Sequence, residues 1–273
     1  MSVDRPSWAP VEVDPTRPSV ARVYDFYLGG SHNFESDRQF GLHALRAMPR
    51  LPTILRDARE FLRRVVVYLC GVGVEQFLDL GSGIPTVGNV HEVAQLVNPR
   101  ARVVYVDNDA VAIAHSRALL EGNGLAAAVQ ADLREPEVTL DAAVATGLID
   151  LGRPVGVLLL SVLHFIPDAD RPGGLVARYM AATASGSYLA LSCARGDGRP
   201  ETGAVEEVYE RRDSPMRMRM RSWAEIEALF GDLTLVDPGL ALVPLWHPEL
   251  ADDLEPHAPP ADYPGVAGLG RRE

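Results

Sequence analysis

The side chains with chemistry in this sequence stand at the ends of apolar runs. In "QFLDLGSGIPTVGNVHEVAQ", residues 76–95, the run delivers Asp79 and then Gly81, Ser82 and Gly83. A second run, "VVYVDND", ends in Asp107 and Asn108, and a third, "VQADLREP", leads to Asp132 and Leu133. A fourth, "LLLSVLHFIPD", passes through Ser161, His164 and Phe165. Carboxylates at strand ends accept hydrogen bonds from ribose hydroxyls, and glycines let the backbone approach a ligand. Asp107 is placed for a ribose and Asp132 for the exocyclic amine of an adenine. The glycine turn is not that of a dinucleotide site. A third glycine is missing, Pro85 follows, and Asn89 with Glu92 forms a capping box well beyond Gly83. The expected ligand therefore lies along the glycine backbone and places no phosphate on the helix. Asp79 also has a plainer reading, as a cap on local amides, and Asp132 as a turn residue.

Positioning these residues requires alternating strands and helices. Strands are expected at 76–80, 102–107, 127–131, 155–161 and 187–192, with helices at 89–97, 110–121, 140–146 and 172–183 between them. Such alternation builds a parallel sheet covered on both faces. After a helix at 221–231, "LTLVD" and "LALVPLW" are joined by Pro238-Gly239, which predicts an antiparallel hairpin. Ahead of the sheet, helices are expected at 19–28, 35–48 and 53–69. The division is an arm (1–18), an N-terminal helical lid (19–70), a ligand-binding domain (71–246) and a tail (247–273). The fold class is α/β: a doubly wound, Rossmann-like sheet of about seven strands.

The chain has 273 residues, 47% of them hydrophobic, enough for one large core. Its net charge of -11 disfavours general binding to nucleic acid or anionic membranes. With no secretory signal and two cysteines lacking motif spacing, Cys70 and Cys193, a cytoplasmic location with reduced thiols is expected. All 26 basic residues are Arg. No His/Cys spacing suits a metal, so none is expected.

The order "DLGSG", "VDND", "ADL", "LLLSVLHFIPD" resembles a class I S-adenosylmethionine-dependent methyltransferase. "SVARVYDFYLGGSHNFESDR" and "GIPTVGNVHEVAQ" are similar, more narrowly, to a bacterial S-adenosyl methyltransferase family once classed as a domain of unknown function. The resemblance covers roughly residues 17–246 and implies S-adenosylmethionine as cofactor. It implies that Asp79, Gly81, Ser82 and Gly83 hold the methionine half and that Asp107 binds the ribose. Asn108 would lie beside the adenine, Asp132 and Leu133 would flank its amine, and Ser161 would sit near the sulfur. It leaves the acceptor open; a small molecule is expected, with the protein a monomer or homodimer. Two other readings are a cofactor-binding sensor without catalysis and a nicotinamide-dependent oxidoreductase.

Two segments carry alternatives. "YDFYLGGSHNF" is either a helix with a Gly-Gly stop or a cap over the crevice. As a cap, Tyr24, Phe26 or Tyr27 would face the sulfonium, Gly29 and Gly30 would pass close to the ligand, and Asn33 would bind its carboxylate. "RRDSPMRMRMR" (211–221) alternates Arg and Met. It is a solvated edge, an anion-binding face or the wall of an acceptor pocket. If the acceptor needs a base, His164 is the candidate, with Tyr24 or His32 behind it.

Overall fold

A computed structural model describes residues 6, 8–11, 13–86, 88–197, 200–210, 216–251, 259 and 262–273. The strands are β1 (Gln76–Leu80), β2 (Arg102–Asp107), β3 (Ala126–Gln130), β4 (Gly156–Leu160), β5 (Tyr188–Ala194), β6 (Thr234–Leu235), β7 (Ala241–Leu242) and β8 (Gly265–Arg271). They form one eight-stranded sheet in the order β3-β2-β1-β4-β5-β8-β6, with β7 also paired to β8. The helices are α1 (Val20–Tyr27), α2 (Glu35–Ala47), α3 (Leu51–Gly71), α4 (Val90–Val97), α5 (Ala110–Leu119), α6 (Pro136–Ala145), α7 (Pro172–Ala182), α8 (Pro200–Tyr209) and α9 (Trp223–Glu227).

The period-two alternation of each strand splits the core between two faces. Leu78, Val104, Val157, Leu159 and Leu191 point toward α6, α7 and α9, meeting Leu140, Val176, Tyr179 and Ile226. Phe77, Val103, Leu158 and Ala190 point toward α3 and α4, meeting Phe61, Val65, Leu69 and Ala94. The strands β1 to β5 are mutually parallel along the path β3-β2-β1-β4-β5, so their carboxyl ends line up along one edge. That edge carries Asp79, Asp107, Asp132 and Ser161.

Three sequence expectations change. The first is the lid: α3 is a layer of the main core, because its buried stripe packs on the sheet. The cap consists instead of α1, α2, α8 and Met216–Met220, which share a separate apolar cluster with the first turns of α3. The second is the hairpin. The strands β6 and β7 do not pair with each other; each pairs antiparallel with β8, at Thr234–Arg271 and at Ala241–Ala267. The third is the tail, which supplies β8, a strand paired with β5 along its whole length.

The reason lies in "GVAGLGR". Three glycines in seven residues speak against a strand by propensity, yet here they leave room for aromatic rings. A Cβ at Gly270 would meet Phe230 Cδ1 at 2.9 Å, and one at Gly268 would meet Phe230 Cζ at 3.1 Å. Between them Leu269 is completely buried. Leu269→Ala is expected to destabilise the protein by roughly 3 kcal/mol, read from the denaturant midpoint, because the cavity lies under a strand locked on both sides. A loss below about 1 kcal/mol would mean that β8 is a docked tail and not part of the core.

The cap is tied down by a buried arginine. Arg22 of α1 donates Nε to Asp37 Oδ2 at 2.9 Å and Nη1 to Asp109 Oδ2 at 3.4 Å. The second contact joins the cap to the residue that caps α5, two positions beyond Asp107. The described part of the expected arm lies across the cap, with Trp8 packed on Phe34 at a ring separation of 5.0 Å. Among the described residues, no helix is long and apolar enough to cross a membrane.

Candidate functional site

The strand ends open onto a cleft of about 440 Å³. Its walls include Asp79, Gly81, Ser82, Gly83, Asp107, Asn108, Asp132, Leu133 and Ser161, with Tyr24 on the cap side. Residues spread over more than a hundred positions of sequence thus face one space. Gly29, Gly30, His32 and Asn33 are not part of this wall, and His164 belongs to a neighbouring one.

The loop after β1 owes its shape to glycine. Gly81 has φ +73°, and a Cβ there would meet Val162 Cγ2 at 2.4 Å. Gly83 has φ +67° and open space around it. The amides of Gly81 and Ser82 both donate to the Val106 carbonyl, at 2.8 and 3.1 Å, which clamps the loop to β2.

Asp107 holds that loop from the other side. Its Oδ2 accepts the Gly83 amide at 2.7 Å and its Oδ1 the Asp109 amide at 2.8 Å. Each oxygen keeps lone-pair capacity for a ligand hydroxyl. Burial raises the Asp107 carboxyl to about 6, although the two amides pull it back down. Burial also raises Asp79, to about 7, with Arg59 opposing and Asp107 reinforcing the shift. Two carboxylates pressed toward neutrality in one cleft are held ready for a cationic or hydroxyl-bearing ligand.

Asp132 is on the cleft but is already engaged. Its carboxylate accepts Arg134 Nε at 3.0 Å and the Arg134 amide at 2.9 Å, and this arginine lowers its pKa. It has far less capacity left than Asp107. Ser161 sits at the end of β4 with φ 55°, a left-handed conformation that a non-glycine residue adopts under constraint. Its amide donates to the carbonyl and hydroxyl oxygens of Ser192, both at 3.0 Å.

The start of α4 is closed to phosphate by the expected capping box and by a further device. Glu92 Oε2 accepts the Asn89 amide at 2.7 Å, completing the capping box, and Asn89 Oδ1 also accepts the Thr86 amide at 3.0 Å. The His91 amide, at the second helical position, donates to the Tyr105 hydroxyl at 2.8 Å. Tyr105 takes the donor that a diphosphate would use. Nothing in its sequence setting marked it for that role.

The "GGSHN" stretch serves the cap and not the ligand. Asp25 Oδ2 accepts the His32 amide at 2.9 Å and Asn33 Nδ2 at 2.7 Å. A Cβ on Gly30 would lie 2.0 Å from the Asp25 carboxylate, and Gly29 stops α1 with φ +80°. Asn33 is therefore committed within the turn, and the His32 ring stacks on His115 at 3.8 Å. Of the expected cap residues, Tyr24 alone reaches the cleft; Phe26 packs on Tyr27 in the cap's own cluster, and Tyr27 lines the adjoining space.

His164 does not have the makings of a base. Burial first, and then the neighbouring Arg221 cation, push its pKa down to about 3. Its Nδ1 is approached by the Ala194 amide at 3.5 Å and by the Cys193 sulfur at 3.7 Å. In the Arg-Met segment, 211–215 fall outside the described residues. Beyond them Met216, Met218 and Met220 turn inward, and Met218 and Met220 line the space beside His164. Arg219 pairs outward with Asp168 at 3.3 Å. Arg221 breaks the alternation: it is buried, donating to the Leu163 and Ile166 carbonyls at 2.8 Å. Arg219 and Arg221 thus hold the loop after β4, while Arg217 lines the cleft.

A doubly wound sheet with a glycine loop, a carboxylate at the end of β2 and a closed α4 start defines the Rossmann-like nucleoside-binding class that methyltransferases use. Residues 6–273 match the S-adenosyl methyltransferase family, to which the chain therefore belongs. Its cofactor is S-adenosylmethionine. Two solved structures resemble it closely. A proposed methyltransferase from Thermobifida fusca YX is 39% identical, with a TM-score of 0.90, covering 98% of this chain and 100% of that one. A DUF574 family protein from Streptomyces avermitilis is 38% identical, with a TM-score of 0.86, covering 95% and 99%. No curated protein matches the chain.

Proposed function

We propose that the chain transfers a methyl group from S-adenosylmethionine to a small molecule held between the cleft and the cap. The observation that carries this reading is a junction. Val20, Tyr24, Ala58, Ser161 and Phe165 line both the cleft and a second, more enclosed space beneath the cap. A donor in one and an acceptor in the other would meet there.

When bound, the cofactor supplies an electrophilic methyl group on a sulfonium. The chain's residues do the rest by placement and exclusion of water. Asp107 accepts from the ribose hydroxyls while its amide bonds keep it from swinging. Asn108 and Leu133 flank the adenine, with Asp132 a lesser partner. Asp79 faces the ammonium of the methionine half. Ser161 and Tyr24 border the sulfur, and the cap, anchored through Arg22, closes over it.

The enclosed space supports a small acceptor over a macromolecule, since α1, α8 and the methionine segment roof it. Purified protein incubated with isotopically labelled S-adenosylmethionine and cell extract tests this. Label is expected in the low-mass filtrate. Label confined to protein or nucleic acid would rule the reading out.

A further inference from the structure

Beneath the cap, the space behind the junction is walled by α1, α3, α8, the Met218–Met220 segment and the ends of β5 and β8. It has a volume of about 80 Å³. One water needs about 10–15 Å³, and an engineered apolar cavity of about 150 Å³ takes up benzene. None of the described residues lining the space is Asp, Glu or Arg. Its polar groups are largely paired with one another. The hydroxyls of Tyr27 and Tyr209 lie 3.5 Å apart, and Thr202 Oγ1 donates to the Gly196 carbonyl at 3.3 Å. His164 presents a ring whose Nδ1 is occupied by the Ala194 amide.

We propose that this space is the acceptor subsite and that the acceptor is an uncharged aromatic nitrogen compound, an arylamine or azaheterocycle about one ring in size. The assignment rests on the methyl-transfer reading above. A charged acceptor would be buried without a counter-ion. A hydroxyl or carbon acid must lose a proton as it attacks, and among the described lining residues none is placed to accept one. His164 has its Nδ1 engaged, and burial keeps the Cys193 thiol and the Tyr209 phenol protonated to about 12. An aliphatic amine arrives protonated at neutral pH, with no free lone pair. An aromatic nitrogen arrives neutral and armed.

In the transfer, the nitrogen lone pair forms the new N–C bond while the C–S bond breaks, and sulfur keeps that bond's electron pair. The positive charge passes from sulfur to nitrogen. An azaheterocycle moves no proton; an arylamine sheds one to water after release. The rings of Tyr24 and Phe165 stand at the junction that this charge crosses.

Calorimetry on the full chain tests the idea, with pyridine and para-toluidine as probes and para-cresol and benzylamine as matched controls. S-adenosylhomocysteine is titrated first; failure there would overturn the methyl-transfer reading and this assignment together. With it bound, both nitrogen probes are expected to bind about tenfold more tightly than benzylamine. Val205→Phe and Leu55→Phe fill the subsite from α8 and α3 without touching the cleft. Each is expected to weaken probe binding about tenfold or more while leaving S-adenosylhomocysteine affinity within about twofold. With S-adenosylmethionine, mass spectrometry is expected to find N-methylated product. Probe binding that is no tighter than benzylamine's or that survives both fillings, absence of N-methylated product, or O-methylation of para-cresol in its place, would overturn the assignment and leave the cofactor site standing.

Discussion

Asp107→Ala is expected to weaken S-adenosylhomocysteine binding about a hundredfold, while Asp132→Asn changes it by less than about threefold. The two carboxylates stand in similar places along the sequence, Asp107 ending β2 and Asp132 two residues past β3. Their surroundings separate them. Asp107 has one amide bond per oxygen, from Gly83 and Asp109, and is otherwise turned to the cleft. Its removal takes away a ribose acceptor and also lets go of the Gly83 loop, so two losses add. Asp132 is wrapped by the backbone and guanidinium of Arg134. A neutral amide there gives up an exposed ion pair, which contributes little. Calorimetry measures both affinities, and a melting curve checks that each variant is folded. Equal damage from the two would mean that Arg134 releases Asp132 to the cofactor, and the ranking would fail.

Legibility tracked how local each determinant is. The strand β1 lies where its apolar run places it, and β2 does as well, because both sit in the sheet interior and are mostly apolar. The strand β8 did not show itself. Gly268 and Gly270 accommodate the ring of Phe230, about forty residues earlier, and Gly265 that of Tyr263. The helix α8 was missed for a similar reason: Val205 and Tyr209 are apolar toward a cap cluster that no single segment displays. At the site, strand-end residues were readable because position along a strand fixes which edge they reach. Cap residues were not. Gly29, Gly30 and Asn33 have the composition of a ligand loop, but Gly29 ends α1 and Asp25 engages Gly30 and Asn33, and sequence does not say which partner wins. His164 lay in the right region, but its role as a base depended on burial and on Arg221, fifty-seven positions away. The methionines of "MRMRM" were readable as a wall by their period of two, up to Arg221, where a buried guanidinium replaces the pattern.

Acid should work in opposite directions on cofactor binding and on the stability of the cofactor-free protein. Asp79 is raised by burial from 3.8 to about 7 and Asp107 from 3.8 to about 6. Between those values the folded chain binds more protons than the unfolded one, so stability falls as pH rises through about 4 to 7. Above about pH 7 the carboxylates are ionised and their whole unfavourable contribution is present. The melting temperature of the free protein is therefore expected to be lower at about pH 8 than at about pH 6. Cofactor affinity should run the other way. An ammonium facing Asp79 requires the carboxylate, so affinity is expected to fall about tenfold for each unit below about pH 7. Asp79→Asn should flatten the affinity curve and lessen the slope of the stability curve, which Asp107 then carries alone, losing affinity at neutral pH while gaining melting temperature there. Measured S-adenosylhomocysteine affinities that stay level between about pH 5 and pH 7 would show that Asp79 does not meet the ammonium. The paired trends matter more than either alone. A carboxylate kept out of water for structural reasons would shift stability only, whereas one kept ready for a cation must shift stability and affinity with opposite sign, because the same buried charge that strains the empty cleft is neutralised when the ligand arrives.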